Sequence, residues 1–226
     1  MKKIIISLLV MFLGTITISA QKDVKVRFGL EGGFNMTQWN GEMVPNYTLP
    51  TESLITEFSD AGFKPGFHAG GLMDLVIQDH WSIQPEVLFT MEGSKVKMAD
   101  TADYKKVSAL YIRIPILVYY NFTNVGPGQL SPGIGLFFAG GVGGTVEGGG
   151  DTFGTNGILD EFDWGANVKV AYELQKVASG LFFSVGFSQG LSTSKSTGIS
   201  ASVGYKFKYA KFLKRAYNTG VLEYNP

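Results

Sequence analysis

The side chains best suited to proton transfer are the two histidines, His68 and His80. Histidine changes charge near neutral pH without help from its surroundings, and a hydrolytic site would set one beside a serine, with a carboxylate to orient the ring. No such serine and acid can be assigned to His68 from spacing, and His80 falls in a predicted tight turn over 78–80. A second set is Arg27, Glu31, Asp74, Glu86, Arg113 and Lys169, three cations against three carboxylates. In a confined polar space, opposite charges in such numbers pair rather than react, because an unpaired buried charge is costly. The glycine runs at 140–144 and 148–150 resemble a phosphate loop only in glycine content, since they lack its lysine and the helix that follows it. Cysteine is absent, which excludes disulfides and thiolate metal sites. The expectation is therefore no catalytic residue, no cofactor and no metal.

The six charges share one strand face. From 81 to 92 the chain alternates with a period of two: Trp81, Ile83, Pro85, Val87, Phe89 and Met91 against Ser82, Gln84, Glu86, Leu88, Thr90 and Glu92. Successive strand side chains point to opposite faces, so one face is apolar and the other polar. Seven further segments repeat the pattern, at 24–37, 63–77, 107–122, 130–146, 162–173, 180–191 and 198–207. Val26, Phe28, Leu30, Phe34 and Met36 oppose Arg27, Glu31 and Asn35 in the first, and Phe162, Trp164, Val168, Val170 and Tyr172 oppose Asp163, Asn167, Lys169 and Glu173 in the sixth. By this register Glu86 and Arg113 lie at similar heights on adjacent strands and are expected partners. A soluble ligand-binding barrel would reverse the polarity, with apolar residues inside.

Connections alternate in length. Long polar ones are expected near 38–62, 93–106 and 147–161, with a shorter one near 192–197, and shorter ones between them at 78–80, 121–129 and 174–179. That order is produced by a transmembrane β-barrel with short turns at one end and long loops at the other. The predicted fold is all-β, an eight-stranded antiparallel up-and-down transmembrane β-barrel at 21–207, with long extracellular loops and a short periplasmic C-terminal tail at 208–226. Aromatics are expected in two belts, Trp81, Tyr120, Phe122, Tyr172, Tyr205 and Phe207 at the short-turn end and Trp39, Phe63, Phe67, Phe89, Phe162 and Trp164 at the other. Thirty glycines in 226 residues, many inside the alternating segments, suit a crowded lumen better than a soluble core. Pro85 and Pro115 fit a closed sheet poorly and call for bulges.

Residues 1–20 read as a secretory signal peptide: Lys2 and Lys3, an apolar run over 4–18, then Ser19-Ala20. Lysine plus arginine and aspartate plus glutamate both number 19, so removal of Lys2 and Lys3 leaves a slight acidic excess and no signature of nucleic-acid binding. No other apolar run approaches the ~20 residues of a spanning helix.

Five strings carry a resemblance to a known family: FGLEGGFN at 28–35, KPGFHAGG at 64–71, WSIQPEVLF at 81–89, YIRIP at 111–115 and VGYKF at 203–207. Together they resemble the small outer-membrane beta-barrel proteins often labelled PorT-like, across nearly all of 24–207. The resemblance implies the barrel fold and a place in the bacterial outer membrane; its namesake implies an accessory role in a secretion or gliding apparatus. The chain departs from the family pattern at Arg113, where an acid is common, and in continuing past Phe207.

In an eight-stranded barrel the interior is barely wide enough for its own side chains, so the luminal charges are expected to form a plug. Binding is then expected at the loops, with Trp39, Tyr47, Phe58 and Phe153 as exposed anchors. The tail, with Lys208, Lys211, Lys214 and Arg215 spaced among Tyr209, Phe212 and Leu213, suits a short basic amphipathic helix on the inner leaflet of the outer membrane or against a periplasmic partner, and equally a partly ordered tail. Expected partners are outer-membrane lipid and periplasmic or outer-membrane proteins. The functional expectation is a non-enzymatic anchor or binding module, the alternatives being the secretion accessory and a narrow passive channel.

Overall fold

The computed structural model describes residues 24–39, 62–77, 80–97, 104–146, 162–176, 178–192 and 195–208. The predicted signal peptide, the tail beyond Lys208, and Tyr47, Phe58 and Phe153 lie outside the described residues.

Period-two alternation becomes strand: β1 (Val24–Trp39), β2 (Gly62–Ile77), β3 (Trp81–Lys97), β4 (Tyr104–Tyr120), β5 (Phe122–Val125), β6 (Gly128–Val146), β7 (Phe162–Leu174), β8 (Leu181–Gly190) and β9 (Ser196–Lys206). All pairings are antiparallel, in the order β4-β3-β2-β1-β9-β8-β7-β6-β5, and β4 also pairs with β6, which closes the sheet. The short β5 continues the β4 stave past Asn121, since Phe122↔Leu130 keeps the register of Tyr119↔Gly133. Eight staves therefore make the barrel. The connection expected at 121–129 is mostly strand, and reverses direction at Gly126-Pro127, where Asn124 and Gly126 adopt φ of 61° and 62°. Asparagine and glycine tolerate that left-handed backbone.

Following paired positions from Val26 through Leu75, Ile83, Val118, Ile134, Val168, Phe187 and Ile199 returns to β1 at Met36. The offset from Val26 to Met36 is the stagger that tilts the staves. Every member of that circuit is apolar and on the outward face, where Phe34 is 78% and Ile134 65% exposed. Met73 and Leu75 share this face by register and are buried. A continuous apolar wall facing out, over a polar interior, is what lipid outside requires. At the short-turn end Trp81, Tyr120 and Phe122 stack edge to face at 5.0 and 4.8 Å, and Tyr205 meets Phe207 at 5.7 Å.

The prolines sit in interruptions of the ladder, and the register does not shift there, contrary to the expected bulges. Pairing between β2 and β3 skips from Leu72↔Glu86 to Leu75↔Ile83, and Pro85 lies in the gap. Pairing between β3 and β4 skips from Pro85↔Ile116 to Leu88↔Arg113, and Pro115 lies in that gap. A residue without an N–H is tolerated where no ladder bond is made. The register does shift between Phe63 and His68, around Pro65. There two β1 side chains reach the β3 backbone: Asn35 Nδ2 donates to Met91 O at 3.1 Å, and Thr37 Oγ1 accepts from Gly93 N at 2.8 Å and donates to Gly93 O at 2.9 Å. These bonds satisfy backbone groups that the interrupted ladder leaves over.

Two luminal glycines show why this residue is abundant. A Cβ on Gly133 or Gly204 would fall on the ring of Tyr119 or Phe182, the residue paired opposite each. The missing side chain lets the ring lie flat across the neighbouring strand. We expect Gly204→Leu to abolish the compact, heat-modifiable gel band by overpacking worth about 1–3 kcal/mol or more, and Gly143→Ala, with open space at its Cβ, to keep it. Identical migration of boiled and unboiled parent protein would count against the barrel itself.

Candidate functional site

The lumen holds the chain's buried charge in three layers. Nearest the short turns, Arg27 of β1 donates to Glu173 of β7 at 2.6 and 2.9 Å, and to Asp74 of β2 at 2.7 and 3.2 Å. Lys206 of β9 places Nζ 3.0 Å from Asp74 and 3.8 Å from Glu173, so two cations hold two carboxylates across four staves. In the middle layer, Lys169 of β7 donates to both oxygens of Glu31 of β1 at 2.9 Å, and to Glu86 of β3 at 2.9 and 3.0 Å. Gln84 Nε2 adds a bond to Glu86 at 2.7 Å. In the third layer Arg113 of β4 sits 2.6 Å from Glu92 of β3 and donates to Ser188 of β8 at 3.3 Å. Its guanidinium lies 4.0 Å above the Phe137 ring, a cation–π contact. Asp163 of β7 accepts from the hydroxyls of Ser192 and Ser196.

Below these layers a polar chain crosses the short-turn end: Gln175 donates to Gln129 at 3.0 Å, Gln129 to Ser131 at 3.2 Å, Ser131 to Asn121 at 2.7 Å and Asn121 to Ser82 at 3.3 Å. A void of about 50 Å³ lies between the middle and third layers, with Glu31, His68, Glu86, Glu92, Arg113 and Lys169 in its wall. A water needs roughly 10–15 Å³ by this measure, so the void suits a few waters and nothing larger.

All six luminal charges singled out from sequence point inward and are buried, yet their pairing differs from expectation. Glu86 does not pair with Arg113. Register sets Arg113 opposite Leu88, two residues along from Glu86, which is about 7 Å of strand. Lys169 reaches Glu86 from across the lumen, and Arg113 turns to Glu92. Glu92, Asp163, Glu173 and Lys206 complete the set, giving four buried cations and six buried carboxylates among the described residues. Each lies on the polar half of its strand, so parity marks its face. Which partner it meets across the lumen depends on closure.

Trp39 is corrected outright. It is neither an exposed loop anchor nor part of the lipid-facing belt, being 0% exposed at the end of β1. The strand runs beyond Thr37, and inward parity carries Trp39 to the mouth of the lumen, with its backbone N–H 3.4 Å from Ser94 Oγ. His68 is buried, with a ring nitrogen 2.8 Å from Ser202 Oγ. The nearby carboxylates Glu31 and Glu86 are held by Lys169, so neither orients that ring. His80 is exposed beside Tyr120, with ring centroids 6.1 Å apart. Among the described residues no group of three or more histidine or acidic side chains is placed to hold a metal. The glycines at 140–144 form part of β6, and the run at 148–150 lies outside the described residues.

A family model described as "Outer membrane protein beta-barrel domain" matches residues 19–196. No curated protein matches the chain. Among solved structures, OprG from Pseudomonas aeruginosa is 12% identical, with a TM-score of 0.48 over 83% of this chain and 98% of its own. Neisserial surface protein A is 16% identical, with a TM-score of 0.46 over 80% and 97%. Ail, the attachment invasion locus protein of Yersinia pestis, in complex with the heparin analogue sucrose octasulfate, is 10% identical, with a TM-score of 0.42 over 80% and 99%.

Removing Lys169 would leave two buried carboxylates facing one another. Lys169→Met is expected to lower stability by about 3–5 kcal/mol, the usual cost of breaking a buried pair from one side. Adding Glu31→Gln and Glu86→Gln to it should restore much of the loss. Denaturant midpoints of the micelle-embedded protein check both; equal midpoints for parent and Lys169→Met would show that the middle layer contributes nothing.

Proposed function

The chain belongs to the outer membrane protein beta-barrel domain family and lies in the bacterial outer membrane, and on that premise we propose a non-enzymatic anchor or binding module that works through its rims, loops and tail, with the lumen closed. The observation that carries this reading is the middle layer, where one lysine ties β7 to β1 and β3 through the centre of the barrel. Ion transit would have to break those contacts in a space with room for a few waters. His68 stands 2.8 Å from Ser202, but Glu31 and Glu86 near it are held by Lys169, an arrangement that suits a structural hydrogen bond better than hydrolysis. The long-loop end faces outward on this reading, because a chain that enters from the periplasm and makes an even number of staves ends there too.

Two measurements test it. In planar bilayers the purified protein is expected to give no stable unitary current; a reproducible single-channel conductance would overturn the closed lumen and favour the passive channel. Because the chain has no cysteine, Thr145→Cys near the long-loop end of β6 and Thr123→Cys near the short-turn end provide single labels. A membrane-impermeant maleimide is expected to label Thr145→Cys on intact cells and Thr123→Cys only after lysis; the reverse result would invert the orientation.

A further inference from the structure

Three neighbouring staves carry concentrated positive charge where they approach the long loops. Register sets Lys95 of β3 directly opposite Lys106 of β4, and both are exposed. Lys64 of β2 runs over Gly93 to donate to Ser108 Oγ at 2.7 Å, along a path that a side chain on Gly93 would obstruct. It lies close enough to Lys106 for the two charges to repel. Val96↔Lys105 and Lys97↔Tyr104 bring two more lysines into the same pairing. From 93 to 108 the sequence has Lys95, Lys97, Lys105 and Lys106 against Asp100 and Asp103. Like charges directly opposite one another repel, and an anion seated between them would be attracted by both ammonium groups.

Height identifies the anion. Met91 on β3 and Leu110 on β4 are the last apolar outward residues before the rim, and Lys95 and Lys106 lie four residues further along their strands. Four residues span about 13 Å of strand, or about 10 Å along the barrel axis at the usual tilt. That is the level of lipid headgroups above the hydrocarbon, and lysine stems lie along apolar surface with the ammonium in the polar layer. We propose that Lys64, Lys95 and Lys106 form a docking rim for the phosphate groups of glycolipids in the outer leaflet. The inference rests on the outward orientation of the long-loop end.

Native mass spectrometry of the full chain in zwitterionic detergent tests it, with diphosphoryl lipid A, dephosphorylated lipid A and inorganic polyphosphate as probes. Lys95→Gln combined with Lys106→Gln is expected to weaken diphosphoryl lipid A binding on the order of thirtyfold, the effect of two lysines at an anionic surface, while the heat-modifiable band is retained. Rising salt should weaken the parent's binding. Equal binding by parent and variant, or by phosphorylated and dephosphorylated lipid, would overturn the proposal. Preference for polyphosphate over the lipid would overturn the lipid source and assign the rim to a soluble polyanion. The maleimide labels separate the two ways of failing: an inverted orientation removes the outer leaflet as the source, whereas a lost phosphate dependence with correct orientation removes the rim itself.

Discussion

Lys169 is the point on which the barrel's interior depends. Its ammonium holds Glu31 and Glu86, both buried, on staves that approach it from opposite directions around the sheet. A carboxylate taken from water is very costly unless a counter-charge and further hydrogen bonds compensate. Two carboxylates sharing one lysine also repel one another, and Gln84 adds a neutral donor that eases the shortfall at Glu86. The geometry works only if β1, β3 and β7 stand at one separation and one height, so the ion pairs select the register as much as they stabilise it.

The layers above and below obey the same constraint with different means. Near the short turns, two cations match two carboxylates and the Arg27 guanidinium forms a fork with each acid. Toward the loops, Arg113 pairs with Glu92 and covers Phe137, while Asp163 is satisfied by serine hydroxyls. Each device gives a buried charge a partner, and glycine gives the large rings room to lie across the lumen at Tyr119 and Phe182. The lysines of β2, β3 and β4 are the reverse case, like charges set side by side in the wall, with Lys95 and Lys106 exposed and Lys64 half-buried.

Much of the architecture was legible because lipid leaves the chain few choices. Backbone groups within a bilayer must be satisfied internally, so strands must close, and closure with lipid outside forces apolar and polar residues to alternate. That is why the facing of Arg27, Glu31, Asp74, Glu86, Arg113 and Lys169 could be read from parity alone. The same parity would have placed Trp39 inward had β1 been extended beyond Thr37, but the boundary of a strand entering a loop leaves little trace in composition. The stave formed by β4 and β5 runs further than its sequence suggests for a related reason: Asn121, Asn124 and Gly126-Pro127 read as one connection, whereas only the last of them reverses the chain.

By itself the sequence determined the class of fold, the number of staves and the face of the six luminal charges, all of which follow from a period of two along a local stretch; the long connection expected at 93–106 is instead mostly strand, because β3 reaches Lys97 and β4 starts at Tyr104. Tertiary structure alone decided the partners. Glu86 and Arg113 are near neighbours along the ladder, yet Lys169, from a strand not adjacent to β3, takes Glu86 because the closed lumen is narrow enough for side chains to span it. Contacts across a lumen depend on stagger and diameter, which no single strand encodes, and the same closure buried Trp39 at its mouth.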